Sequence, residues 1–257
     1  MTRKDNANTI RQKMRNGVAS IGTWMQIPHA SIAEILGGSG LDWVAVDLEH
    51  GSFGLHQLPD IFRAIELGDA VPMARLAVGQ STDCKAALDA GAGGVIIPMI
   101  ESAAQLRSCV DACCWPPTGT RGVGFSRANR FGETFESYKE EAQNPIIVAM
   151  IEHVKAVDNL ADILSVDGLD AILVGPYDLS ASIGKTGQFD DPEFLALMEK
   201  VRAAALQKKV PYGVHVVSPD VEEARAKIAE GCLFLPYSID AVLLAKGFAK
   251  ASTDLTN

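Results

Sequence analysis

IIVAMIEHVKAVDNLADILSVDGLDAILVGPYDLS, residues 146–180, reads as one complete strand–helix–strand unit. Residues 146–152 are a short apolar run without polar alternation, the pattern of a strand buried on both faces of a parallel sheet. Residues 155–165 then carry apolar side chains at helical spacing, and 171–176 (AILVGP) is a second apolar run. The alternation continues in both directions. Further apolar runs lie near 20–26, 43–48, 72–76, 94–98, 211–217 and 232–237, and helical patterns near 192–208 and 219–230. Pro192 and Pro219 suit a first helical turn, where the missing N–H costs nothing. Eight strands, each followed by a helix, predict a (β/α)8 TIM barrel, a single domain over residues 1–257. The rival is an open doubly wound sheet, but its dinucleotide-binding form needs a G-x-G-x-x-G turn after the first strand, and none is there.

One connection is longer than the rest. Some fifty residues separate strands four and five, and their middle, WPPTGTRGVGFSRANRFGE, is dense in Gly, Pro and Arg. Long loops in compact domains are usually functional, so an extended loop at about 114–145 is expected over the active face. Arg121 and Arg127 within it read as solvated or loop-bracing.

Composition narrows the function classes. Hydrophobic residues are 47% and charged residues 21% of the chain, enough apolar material for a large core. A net charge of −9, with basic residues scattered singly, argues against nucleic acid or an anionic membrane as partner. The polar N-terminus lacks an apolar leader core, and no run approaches the ~20 apolar residues of a membrane span, so a cytoplasmic location is expected. The five cysteines include no C-x-x-C pair and are expected to be reduced. Cys113 and Cys114 beside Trp115 read as helix-end packing.

Ionisable residues recur where strands end. Strand two ends in Asp47-Leu48-Glu49-His50-Gly51, strand three in Arg75, strand five in Glu152-His153, and strand six in Gly175-Pro176-Tyr177-Asp178. In a barrel these positions converge on the catalytic mouth. Glu152 and Asp178, on adjacent strands, can reach one point, where their repulsion is relieved by a proton or a cation. Two oxygen ligands with the other positions open suit Mg²⁺ or Mn²⁺; paired acids moving protons without metal are the alternative. His50, three residues after Asp47, is a candidate general base oriented by that carboxylate. Arg75 suits a carboxylate or enolate. Trp24, ending strand one, is placed to wall the pocket, or is a core tryptophan. His29, His56 and His215 read as loop or core residues. No strand carries the lysine that an imine-forming aldolase requires.

The blocks WVAVDLEHG (43–51), ARL (74–76), GAGGVIIPMIESA (91–103), PPTGTRGVG (116–124), IEHVKAVDNL (151–160) and VDGLDAILVGPYDLSASIG (166–184) resemble the HpcH/HpaI-type class II pyruvate aldolases over nearly the whole chain. The resemblance implies a TIM barrel that cleaves or forms 4-hydroxy-2-oxo acids, giving pyruvate and an aldehyde through a pyruvate enolate on a divalent metal: Mg²⁺, Mn²⁺ or also Co²⁺. It makes Glu152 and Asp178 the metal ligands, and His50 the base acting through water. It also has Asp47 supporting His50, Arg75 stabilising the enolate oxygen, and backbone amides around Tyr177 and Asp178 holding the substrate carboxylate. It further implies a hexamer, a trimer of dimers, with a C-terminal helix exchanged between subunits; AVLLAKGFA (241–249) is compatible with that. One departure stands out: Met150 occupies the position, two residues before Glu152, where heptanedioate aldolases carry glutamine. The scaffold also resembles decarboxylases and a citrate-forming synthase, so an enzyme using the same enolate with a different electrophile is the alternative. A non-catalytic ligand-binding barrel is a third reading, disfavoured because base, metal ligands and arginine are all present.

Overall fold

Branched and aromatic side chains crowd the eight apolar runs, and in the computed structural model, which describes residues 2–256, every one of them is a strand. They are β1 (Ser20–Met25), β2 (Trp43–Asp47), β3 (Val71–Arg75), β4 (Gly94–Ile97), β5 (Ile146–Ile151), β6 (Ala171–Val174), β7 (Tyr212–Val214) and β8 (Phe234–Ile239). All neighbours pair in parallel, in the order β7-β6-β5-β4-β3-β2-β1-β8. The ends of that sheet meet. Leu233 N–H donates to Tyr212 C=O at 2.8 Å and Val216 N–H to Pro236 C=O at 3.1 Å, closing a (β/α)8 barrel.

Helices α1 (Arg3–Arg15), α2 (Ala30–Gly37), α3 (Leu58–Glu66), α4 (Ser81–Ala90), α5 (Ala103–Cys113) and α6 (Phe135–Ala142) belong to the first half. The second half holds α7 (Val154–Asp158), α8 (Leu160–Ile163), α9 (Pro176–Ser182), α10 (Pro192–Lys208), α11 (Val221–Ala229) and α12 (Asp240–Thr256). The expected helix over 192–208 has those bounds because Asp191 caps it, Pro192 fills its first turn, and Lys209 ends it in left-handed geometry. The helix expected over 155–165 is instead two, since Asn159 leaves helical geometry and its side-chain amide donates to Glu101 C=O at 3.0 Å. Pro219 lies just outside α11, whose cap is Asp220.

The charged N-terminus has a structural role that its composition hides. Ala7, Ile10 and Met14 of α1 pack against Val71, Met73, Ile146 and Ala171, plugging the N-terminal end of the barrel. Arg11 anchors the plug, reaching Asp170 at 2.6 Å and Pro145 C=O at 2.9 Å.

The position of the long segment corrects the expectation. It follows α5, not β4, and a chain leaving a barrel helix stands at the N-terminal end of the strands. Residues 114–145 accordingly pack there: Arg127 pairs with Glu66 of α3, and Arg3 of α1 donates to Ala128 C=O at 3.1 Å. Arg121 is not solvated but buried against Trp115 and Tyr138, donating to the Tyr138 hydroxyl at 3.1 Å. Within its own barrel this segment lies away from the mouth.

Two apolar layers result. Outward-facing strand residues such as Val44, Val46, Ile97 and Ile151 pack under the helices, while Trp24, Trp43, Met73, Met150 and Phe234 fill the barrel. Trp43 stacks on Phe234 at 4.4 Å between ring centres and meets Trp24 edge-on at 6.4 Å. Gly22 makes room for this: a Cβ there would fall 2.0 Å from the Trp43 ring. Gly22→Ala is therefore expected to cost about 3 kcal/mol, the upper end of overpacking penalties. Urea unfolding of this variant beside the parent protein checks it.

Candidate active site

Asp47 and Arg75 are register partners at the ends of β2 and β3. Their side chains form a buried two-point pair: Arg75 Nε donates to Oδ1 at 2.9 Å and Nη2 to Oδ2 at 2.6 Å. The Asp47 carboxylate also accepts from Gln26 Nε2 at 2.8 Å and from the backbone N–H groups of Glu49 and His50, both at 3.1 Å. Burial alone would push its carboxyl up. The hydrogen bonds and charge of Arg75, helped by Gln26 and the His50 N–H, outweigh that and hold it below the usual carboxylate range.

The expected contact between Asp47 and the His50 imidazole takes another form. Arg75 occupies the carboxylate, so Asp47 fixes the His50 backbone, and the imidazole stands 60% exposed at the rim, with Nε2 3.9 Å from Glu49 Oε2. Arg75 Nη1 also faces Glu49 Oε2, at 3.3 Å. That oxygen is buried and accepts no hydrogen bond within the described residues. Burial raises the Glu49 carboxyl, against the opposing charges of Arg75 and His50.

Glu152 follows β5 and is buried. Burial, with the charges of Glu49 and Asp178 adding to it, pushes its carboxyl up to about 7; the Met99 N–H, donating to Oε2 at 2.8 Å, and the charge of Arg75 oppose the rise. Its Oε1 lies against Gly175, where a Cβ would come within 2.6 Å. Asp178 is exposed in the first turn of α9 beside Tyr177, which is 51% exposed and packs edge-on against Phe189 at 4.9 Å. The rim thus brings three carboxylates, Asp47, Glu49 and Glu152, within electrostatic reach of one guanidinium, and Asp178 within reach of Glu49 and Glu152. Arg75 is already engaged by Asp47 and Glu49, so on the Glu152–Asp178 side the like charges of Glu49 and Asp178 add to burial in disfavouring the Glu152 carboxylate, and Arg75 offsets them only in part.

That imbalance is what a bound cation would relieve, and Glu152 and Asp178 offer it hard oxygen donors. No three His, Cys, Asp or Glu side chains gather as a fuller ligand set among the described residues. Two carboxylates fit an ion such as Mg²⁺ that keeps several waters.

Trp24 is fully buried, so it supports the mouth from below rather than facing it: the Arg75 guanidinium lies over its ring at 4.5 Å. His215 also meets Trp24 edge-on, at 5.7 Å between ring centres, its Nε2 3.3 Å from Ser238 C=O. The remaining surface of His215 borders a groove of about 860 Å³ between α10 and α11, shared with Tyr177, Phe189 and Tyr212. Sequence reasoning gave no role to Gln26, Glu49 or the Met99 amide. The strand-end rule that selected Asp47 covers Gln26 and Glu49 as well. Met99 contributes a backbone group, which side-chain chemistry does not signal.

A closed barrel with its polar residues gathered at the C-terminal ends of the strands is the arrangement of a barrel enzyme. The HpcH/HpaI aldolase/citrate lyase family pattern matches residues 20–246, and the chain belongs to that family, a family of lyases. A hydroxypyruvate/pyruvate aldolase of Roseobacter denitrificans is 34% identical over 241 residues, covering 92% of this chain and 93% of that one. A 4-hydroxy-2-oxovalerate aldolase of Novosphingobium aromaticivorans is 34% identical over 245 residues, with 93% and 91% covered. The crystal structure of an HpcH/HpaI aldolase/citrate lyase family protein from Burkholderia cenocepacia superposes with a TM-score of 0.91 at 29% identity, covering 97% and 100%.

His215 gives a pH prediction. Burial lowers its imidazole from 6.5 to about 4, with the Ser238 carbonyl acting against that and the Arg75 charge adding to it. Between those values the unfolded chain binds a proton that the folded chain does not, so stability falls as pH is lowered through this window. The contribution is about 2 kcal/mol, after a discount for the exposed part of the ring. Urea unfolding at pH 7, 5.5 and 4.5 should show His215→Gln losing less stability than the parent protein by that amount. Parallel losses in the two proteins would contradict it.

Proposed function

We propose that this protein is a divalent-metal-dependent aldolase that cleaves or forms 4-hydroxy-2-oxo acids, yielding pyruvate and an aldehyde. The observation that carries it is the Glu152–Asp178 side of the rim, where a buried carboxyl group is destabilised as an anion by a like-charged neighbour, beside a guanidinium fixed by Asp47. Both curated relatives named above are aldolases of small 2-oxo acids.

Mg²⁺ or Mn²⁺ held by Glu152 and Asp178, with Co²⁺ as a substitute, would supply a Lewis acid for the keto oxygen. Arg75 contributes a preorganised positive charge. Two of its nitrogens are locked onto Asp47 and its plane rests on Trp24, so the guanidinium does not reorient as negative charge grows on the substrate. Cleavage breaks the C3–C4 bond: its electron pair moves toward C3 and the keto oxygen, and the C4 hydroxyl proton leaves as the aldehyde forms. His50 takes that proton through a water molecule, and its exposed imidazole can pass it to solvent. C3 then takes a proton to become the methyl group of pyruvate. The first-turn amides of α9 at Tyr177 and Asp178 receive the substrate carboxylate.

Full assembly belongs to the same reading. We place the enzyme in the cytoplasm as a hexamer, a trimer of dimers, with α12 exchanged between subunits. Leu243, Leu244, Phe248 and Leu255 on that helix are exposed in the single chain, and the five free cysteines are all buried. No helix of the described residues is long and apolar enough to cross a membrane.

The direct test follows deuterium entering the pyruvate methyl group by NMR in D₂O. Exchange should require added Mg²⁺ or Mn²⁺, stop with chelator, and fall about 10²–10³-fold in Arg75→Lys, the range for losing one preorganised donor. Metal-independent exchange, or none in the metal-supplemented protein, would overturn the assignment. Light scattering of the protein in solution should give six times the 27.4 kDa chain mass, and truncation before α12 should give smaller species.

A further inference from the structure

Met99 follows β4 in the left-handed backbone region, at φ +51°, a conformation that is strained for a residue with a side chain. The strained turn aims the Met99 N–H into the mouth, where it donates to Glu152 Oε2 at 2.8 Å. One side chain spans the turn from outside. The Gln105 carboxamide accepts from Glu101 N–H through Oε1 at 2.9 Å and donates through Nε2 to Met99 C=O at 3.1 Å. Gln105 is itself seated in the first turn of α5, its own N–H on the Ser102 hydroxyl at 3.2 Å. Asn159 secures the far side by donating to Glu101 C=O at 3.0 Å. The turn from 99 to 101 is thus tied at both ends to one amide group on a rigid helix.

We infer that Gln105 is a positioning residue for Glu152: it holds Met99 in left-handed geometry so that the Met99 amide fixes one carboxylate oxygen. The other oxygen, Oε1, accepts no hydrogen bond from the described residues and is backed by Gly175. Of the two carboxylate oxygens it is the one left for a cation. A carboxylate fixed this way loses little freedom when it binds, which is how hydrogen-bond partners behind a metal ligand strengthen a site. This inference rests on the reading of Glu152 as a metal ligand. It adds that a glutamine without contact to metal or substrate sets the strength of the site, acting through a strained peptide.

Two measurements on the intact protein test it. In the metal-free protein, hydrogen exchange at the Met99 amide should be slow and should speed up about tenfold in Gln105→Met, which keeps the side-chain length and loses both hydrogen bonds. Mn²⁺ binding, read from the electron paramagnetic resonance of the free ion, should weaken about tenfold in the same variant, the low end for loss of a partner behind a ligand. Glycine adopts left-handed geometry without strain, so adding Met99→Gly to Gln105→Met should restore Mn²⁺ affinity to within about threefold. A residue important only for the packing of α5 would not be rescued by that change. Unchanged Met99 exchange in Gln105→Met, or a double variant as weak as Gln105→Met, would overturn the inference. Parent protein that binds no Mn²⁺ while Met99 exchange still depends on Gln105 would sink the metal reading and leave the clamp standing.

Discussion

The buried pair between Asp47 and Arg75 is the constraint on which the rest of the site depends. A guanidinium at the end of a barrel strand, below the rim and over a tryptophan, is held only where a carboxylate meets it with matched geometry. Asp47 does so, and its remaining hydrogen-bonding capacity goes to Gln26 of the first strand end and to the backbone of Glu49 and His50. One carboxylate therefore ties together three neighbouring strand ends and sets the course of the chain that carries His50. Because Asp47 and Arg75 are register partners, the pair follows directly from the barrel's hydrogen-bond ladder.

The opposite side of the mouth is organised by the reverse condition. Glu152 has no arginine of its own and is held by a backbone amide and a glycine surface, with Glu49 and Asp178 adding like charge. The rim is thus polarised between a neutralised half at β2 and β3 and an electron-rich half at β5 and β6. In the proposed chemistry the two halves act together, a cation on one side and the fixed guanidinium on the other, with the substrate's keto oxygen between them.

Much of this was legible in the chain. Short unbroken apolar runs such as IIVAMI and AILV read as strands covered on both faces once helical patterns alternate with them, and eight of them leave few alternatives to a barrel. Asp47, Arg75, Glu152 and Asp178 stood out by the same pattern, since the residues at a strand's end or just past it, the last of β2 and β3, the one after β5 and one in the first turn of α9, are where polar side chains can enter the mouth. What escaped depended on three-dimensional competition. The Asp47–His50 spacing suits a carboxylate–imidazole contact, but the neighbouring strand brings a stronger partner to the same oxygens. The Gly- and Pro-rich segment after Trp115 reads as an active-site loop until its place after α5 puts it at the other end of the barrel. The N-terminal plug was hidden because Ile10 and Met14 are spaced among charged residues that look like a solvated tail. Met99 contributes only a peptide N–H, and its role depends on a backbone angle.

The central claim is that Glu152 and Asp178 share one cation beside Arg75. Crystals grown with Mn²⁺ and pyruvate, and measured for anomalous scattering, test it most directly. The account predicts one strong anomalous peak within bonding distance of both carboxylates, with pyruvate's keto oxygen turned toward Arg75. A site lacking Mn²⁺ at saturating concentration, or an ion bound away from Glu152, would contradict it.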